Sequence, residues 1–197
     1  QGIDYKTLFI TMDLNINSPL PDRKDWRIGC VGSGFIMNDC HLAAYSKAGF
    51  NPVAIASRTQ ANAAKCAKQH KITRVHESIE MLLNDESIEV LDLAVPPDNQ
   101  LDVIKAACKR GIVKGILAQK PLGSNYAEAL EAVESCEKAG ITLAVNQNMR
   151  YDQSVRAGKT LLSKGIIGEP VLANIDMRGI PHWMPWQERQ GWVTLRI

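Results

Sequence analysis

Arg27-Ile28-Gly29-Cys30-Val31-Gly32-Ser33-Gly34-Phe35-Ile36-Met37 is the stretch that decides the fold. Arg27 to Val31 is a short apolar run with the length and composition of a buried strand, and it stops at a glycine pair directly before a helical pattern from Phe35 to about Ala48. Strand, Gly-x-Gly and helix in that order form the phosphate-binding junction of dinucleotide folds. Gly32 permits the tight turn, and Gly34 lets the backbone approach a pyrophosphate whose charge rests on N–H groups at the helix N-terminus. Ser33, Phe35 and Ile36 complete this candidate cofactor loop. Met37 stands where the fingerprint has a third glycine, a position that governs helix-to-strand packing, so a slightly displaced helix is expected. A bare Gly-x-Gly also occurs in strand-to-helix turns that bind nothing.

Outward from this junction the alternation repeats. Strand-like runs at Pro52 to Ser57, Arg74 to His76, Val90 to Val95, Gly115 to Ala118 and Ile141 to Val145 separate helical patterns. The helices are expected over Gln60 to His70 after a Thr59 cap, Ser78 to Asn84, Asn99 to Arg110, and from a Ser124 cap to Ala139. Nearly all-apolar strands, each followed by an amphipathic helix, imply a parallel sheet covered on both faces. The expected class is doubly wound α/β, a Rossmann fold. Residues 1–25 lack core periodicity and read as an arm or linker, 26–150 as the dinucleotide-binding domain, and 151–197 as the start of an incomplete α+β substrate domain. That last part shows a helix from Ser154 to Ser163, a strand-like run from Val171 to Met177, and Trp183, Trp186 and Trp192 near the end. Too few elements are there to close a second core, so the chain is expected to be a fragment whose tail exposes an apolar patch.

Of the 197 residues 45% are hydrophobic and 22% charged, and 23 Lys plus Arg against 21 Asp plus Glu leave a net charge of +2. So even a balance sets up no broad field, and neither nucleic acid nor an anionic membrane is an expected partner. No apolar stretch approaches the ~18 residues of a membrane span, and no leader is recognisable near Gln1. The five cysteines, none spaced Cys-x-x-Cys, read as reduced thiols of a cytoplasmic protein. No metal-ligand spacing appears, and Gly-x-Ser-x-Gly and Tyr-x-x-x-Lys are absent.

The end of the second strand speaks to cofactor choice. An acid about 20 residues beyond the glycines would accept from the ribose 2′-OH, but Ser57-Arg58-Thr59 stands there. With no carboxylate to repel a 2′-phosphate and a guanidinium to pair with it, these residue types favour NADP; NAD stays open, since Arg58 can also stack on adenine.

Three later segments complete a pattern. Val95-Pro96-Pro97 closes the fourth strand, Ala118-Gln119-Lys120-Pro121 the fifth, and Asn146-Gln147-Asn148-Met149-Arg150-Tyr151 follows the sixth. With the glycine loop, they make the chain resemble the glucose-fructose oxidoreductase and inositol dehydrogenase (Gfo/Idh/MocA) family across roughly residues 26–178. The resemblance implies an NAD(P)-dependent oxidoreductase that moves hydride between nicotinamide and a sugar, cyclitol or related polyol, and a homo-oligomer at full length. It implies cofactor contacts from Pro96, Pro97, Gln100, Gln119, Lys120 and Pro121. Lys120 is implied as the catalytic lysine between nicotinamide ribose and substrate hydroxyl, with Asn148, Arg150 and Tyr151 bordering the substrate. Gln119 stands where the family usually has Glu, and Gln100 where many members have His. The family's His-x-x-Asp segment is missing, and His182, followed by Trp183, is not that motif. His41, His70 and His76 read as structural or exposed. Two rivals stay open on sequence alone: a non-catalytic NAD(P)-binding sensor and an S-adenosylmethionine-dependent methyltransferase.

Overall fold

The computed structural model describes residues 13, 14 and 16–176. Six parallel strands form one sheet in the order β3-β2-β1-β4-β5-β6. They are β1 Arg27–Val31, β2 Asn51–Ala56, β3 Arg74–Val75, β4 Val90–Leu93, β5 Gly115–Gln119 and β6 Thr142–Asn146. The helices are α1, a π-helical turn Ile36–His41 continuing as α-helix Leu42–Ala48, α2 Gln60–His70, α3 Ile79–Leu83, α4 Pro97–Arg110, α5 Tyr126–Ala139 and α6 Gln153–Ser163.

The doubly wound class expected from the sequence is what the chain adopts, and the physical cause is visible in the two cores. Alternate residues of a strand face opposite ways. Ile28 and Cys30 of β1 therefore pack with Met37 and Leu42 of α1 and Ala63, Cys66 and Ala67 of α2. Val31 points to the other face, with Leu93 of β4, Leu82 of α3, Ile104 of α4 and Ala132 of α5. Each layer buries a stripe that a single helix could not cover.

Local signals set most boundaries. Gly49, Gly111 and Gly140 end α1, α4 and α5 in the left-handed conformation. The Ser78 hydroxyl accepts the Met81 N–H to start α3. At α5 the cap is Asn125 and not Ser124: its side chain accepts the Glu128 N–H at 3.1 Å, while the Glu128 carboxylate accepts the Ser124 N–H at 2.8 Å, a reciprocal box that competes successfully with the serine. Thr59 begins α2 without a side-chain hydrogen bond. Residues 171–176 form no strand, and Val171, Leu172 and Ile175 lie open to solvent; among the described residues no strand pairs with them. Met177, His182 and the three tail tryptophans lie outside the described residues.

Part of the arm is ordered by two attachments. At the edge of β1, Arg23 stacks 3.5 Å over Trp26 and pairs with buried Glu89, which Arg27 and Lys114 also approach. Farther back, the backbone carbonyls of Asp13, Leu14 and Asn17 accept hydrogen bonds from Lys164, Thr160 and Arg156 along α6. Among the described residues, no helix is long and apolar enough to cross a membrane.

Candidate functional site

Open parallel sheets take ligands outside the carboxyl ends of the strands where the order reverses, and here that point lies between β1 and β4. The loop leaving β1 passes through it. Gly32 has φ +103°, its N–H donates to the Ala56 carbonyl of β2 at 2.8 Å, and a Cβ on it would stand 2.4 Å from the Ala94 carbonyl oxygen just past β4. Any side chain there would collide with a strand end, so the turn itself requires this glycine. Gly34 differs: nothing lies within 4 Å of where its Cβ would be. The chain's own packing leaves that backbone open, and no side chain caps the start of α1. An exposed backbone at a helix N-terminus fits a pyrophosphate.

Met37, at the third-glycine position, is fully buried beneath the loop, and the helix takes π geometry over Ile36–His41. On the β2 side a cleft of about 410 Å³ runs from Ser33, Gly34 and Phe35 to Asn62, Lys65 and Gln69 of α2. Ser57 lies half-buried just past β2, and Arg58 beyond it is exposed.

The other half of the crevice is built on β4, β5 and β6. Pro96 is exposed and Pro97 is the first residue of α4, where its missing N–H costs nothing. One turn into α4, Gln100 is fully buried. Its Nε2 donates to the carbonyls of Gln119 at 2.9 Å and Pro121 at 2.7 Å, and its Oε1 accepts the Gln119 N–H at 2.7 Å. The resemblance placed Gln100 at the cofactor; the structure spends its amide on the backbone of residues 119–121 instead. It brackets the turn that carries Lys120, exposed and joined to Pro121 by a cis peptide bond.

Gln119 holds the same turn from the opposite side. Its Oε1 accepts the Lys120 N–H at 2.9 Å, and its Nε2 lies 3.3 Å from Nε2 of His41. His41 is buried. Its Nδ1 lies 2.8 and 2.9 Å from the two oxygens of Asp92, a fully buried residue of β4, and Asn146 Nδ2 reaches its Nε2 at 2.9 Å. The Tyr45 hydroxyl donates to Asp92 at 2.7 Å, and burial together with the Asp92 charge pushes that phenol far above its ordinary range, so it stays a donor.

This cluster went unseen in the sequence, where His41 reads as a helix-face residue. A usable signal was present: Asp92 is an acid within the otherwise apolar run Val90–Leu93, and an acid in a doubly covered strand requires a partner. Asn148, Arg150 and Tyr151 form an exposed 3₁₀ turn just past β6, at the same sheet end as Lys120, since Gln119 and Asn146 are register partners. Among the described residues, no group of three or more His, Cys, Asp or Glu side chains could hold a metal ion.

Residues 26–147 match the family model GFO_IDH_MocA, described as an oxidoreductase family with an NAD-binding Rossmann fold. The chain belongs to this family. Among its relatives, 1,5-anhydro-D-fructose reductase of Ensifer adhaerens is 26% identical over 177 residues, 87% of this chain and 53% of that protein. An oxidoreductase of Thermotoga maritima is 30% identical, with a TM-score of 0.69, over 75% of this chain and 45% of that one. An oxidoreductase of Agrobacterium radiobacter, solved with NAD+, L-tartaric acid and magnesium, is 25% identical, with a TM-score of 0.70, over 74% of this chain and 42% of that one. The chain thus spans about half or less of the proteins it matches.

Proposed function

We propose that residues 26–150 are the dinucleotide-binding part of an oxidoreductase that moves hydride between nicotinamide and a carbinol or keto carbon of a sugar or polyol, with 151–197 opening the part that holds the substrate. The carrying observation is the open backbone at Gly34, uncalled for by the chain's own packing and set at the topological switch point. Family membership supports the nicotinamide cofactor, and the anhydrofructose reductase relative supports a sugar-like substrate.

When bound, nicotinamide would supply the carbon that gives or takes the hydride. The chain's own contribution is placement and charge. On the turn that Gly32 makes, Ser33, Gly34 and Ile36 would offer backbone N–H groups to the pyrophosphate, and Arg58 would meet a 2′-phosphate beside Ser57, which would make NADPH the preferred cofactor over NADH. Lys120, fixed by the Gln100 bracket at the end of β5, donates a hydrogen bond to the reacting oxygen and delivers a proton as negative charge develops on it. Pro96, Pro97 and Pro121 shape the nicotinamide end of the crevice, and Asn148, Arg150 and Tyr151 border the substrate.

Fluorescence titration with NADPH and NADH tests the cofactor assignment. Arg58→Ala should cost NADPH affinity about 1–3 kcal/mol and leave NADH binding little changed. Equal loss for both cofactors refutes the 2′-phosphate assignment, and absence of binding by the parent refutes the dinucleotide reading. In the full-length enzyme, Lys120→Met should lower kcat with cofactor affinity intact.

A further inference from the structure

What the buried cluster behind Lys120 does for the site rests on the proposed role of that lysine. Asp92 is costly: a carboxylate with no exposure, in the middle of the sheet, must be repaid by hydrogen bonds, and a well-packed apolar side chain would often serve stability as well. What the acid achieves is an orientation. By accepting the Nδ1–H of His41 it orients the ring, and the amide nitrogens set against Nε2 mark that nitrogen as an acceptor. Nε2 faces two side-chain amides, from Gln119 of β5 and Asn146 of β6. Both must turn their NH₂ groups toward it. For Gln119 this directs Oε1 the other way, onto the Lys120 N–H.

We propose that His41, held by Asp92 and Tyr45, is a positioning residue that sets the orientation of Gln119 and, through it, of Lys120. The cluster joins four elements, α1, β4, β5 and β6, and its acceptor nitrogen specifically matches Gln119. A glutamate at 119, which the related family usually carries, offers no N–H. Opposite an unprotonated Nε2 it would place acceptor against acceptor, a conflict relieved when the ring takes up a second proton from solvent and lies between two carboxylates. The charged and titratable groups around the ring are Asp92 from β4 and Tyr45 from α1; beside Asp92, Cys30 of β1 has its thiol pushed up by burial and stays protonated. Gln119 and Asn146, from the two remaining strands, carry no charge. An amide at residue 119 therefore matches an acceptor at Nε2 of His41.

The test is ¹⁵N NMR of the imidazole rings in the 197-residue chain, with the Lys120 backbone amide as second reporter. In the parent, His41 should show one protonated nitrogen and one bare one, with the proton on Nδ1. Gln119→Glu should protonate both nitrogens at the same pH. His41→Gln should displace the Lys120 amide resonance while the β2 and β3 amides stay in place, a pattern that general loss of stability would not give. A His41 ring unchanged by Gln119→Glu overturns the proposal, as does a Lys120 amide unmoved in a folded His41→Gln chain; if that variant unfolds, the Gln119→Glu ring spectrum decides alone. NADPH titration of the parent is read separately. Failure there removes the functional reading and leaves the His41 result to stand or fall by its own spectra.

Discussion

Gly32 and Gly34 lie two residues apart in one loop, and the structure gives them opposite reasons for being glycine. Alanine at 32 would need a left-handed backbone at φ +103°, a strain of about 1–3 kcal/mol, and its Cβ would also overlap the Ala94 carbonyl oxygen at 2.4 Å. A strand end would have to move, so Gly32→Ala should lose a large share of a total stability of roughly 5–15 kcal/mol. Alanine at 34 meets nothing within 4 Å and needs no left-handed backbone. Relieving the unfolded chain of a glycine should make Gly34→Ala neutral or more stable by about 0.4–1 kcal/mol. Its methyl group would, however, occupy the approach of the pyrophosphate to the backbone. Losing one charge-assisted hydrogen bond there costs about 1.5–3 kcal/mol, and at about 1.4 kcal/mol per tenfold, cofactor affinity should fall roughly 10- to 150-fold. Urea unfolding followed by circular dichroism gives the first quantity, and fluorescence titration with NADPH the second. Parental affinity in Gly34→Ala would refute the placement of the phosphates. A Gly34→Ala chain as unstable as Gly32→Ala would show that the fold, not a ligand, requires both.

Gln100→Leu should lower stability by roughly 2–4 kcal/mol, because three backbone groups of the 119–121 turn lose their partner at once; a urea midpoint close to the parent's would refute the bracket. Burial disfavours charge on Asp85, yet the Ser87 hydroxyl and N–H, His76 and Arg74 together hold its carboxyl below the usual aspartate value. The depressed folded value means that its contribution is present above the ordinary value of about 3.9 and is lost as pH falls below it, through the folded value. The urea midpoint should therefore drop less between pH 5 and pH 3 (~2 units chosen to straddle that value) in Asp85→Asn than in the parent, and equal drops would refute this. Thiol labelling of the native chain should reach exposed Cys40 first, while buried Cys30 and Cys136, whose thiols burial pushes up, should react only on unfolding; the order is read by mass spectrometry of timed digests.

Strands buried on both faces announce themselves as apolar runs, which is why β1 was legible residue for residue, and glycine after a helix marks its end, which is why the ends of α4 and α5 were legible. The loop was legible for the same reason, since its glycines answer to backbone geometry. What escaped depends on partners distant in the chain. The amide of Gln100 is defined by a turn about twenty residues away, and His41 gains its meaning from Asp92 and Asn146, which no local pattern links to it. Residues 171–176 misled in the opposite sense: β-type residues describe a willingness to pair, and among the described residues no strand pairs with them.

The arm and α6 lie on either side of the stretch that matches the family model, yet each depends on the other. The carbonyls of Asp13, Leu14 and Asn17 are tied to α6, while Arg23 is moored at Trp26 and Glu89. Residues 13–23 thus act as a guy line from the base of the sheet to a helix that follows its last strand. An excision made at residue 26 to isolate the nucleotide-binding unit would cut that line, and α6 would lose its hydrogen bonds to the carbonyls of Asp13, Leu14 and Asn17. Minimal versions of this domain should therefore keep the arm or dispense with the helix as well.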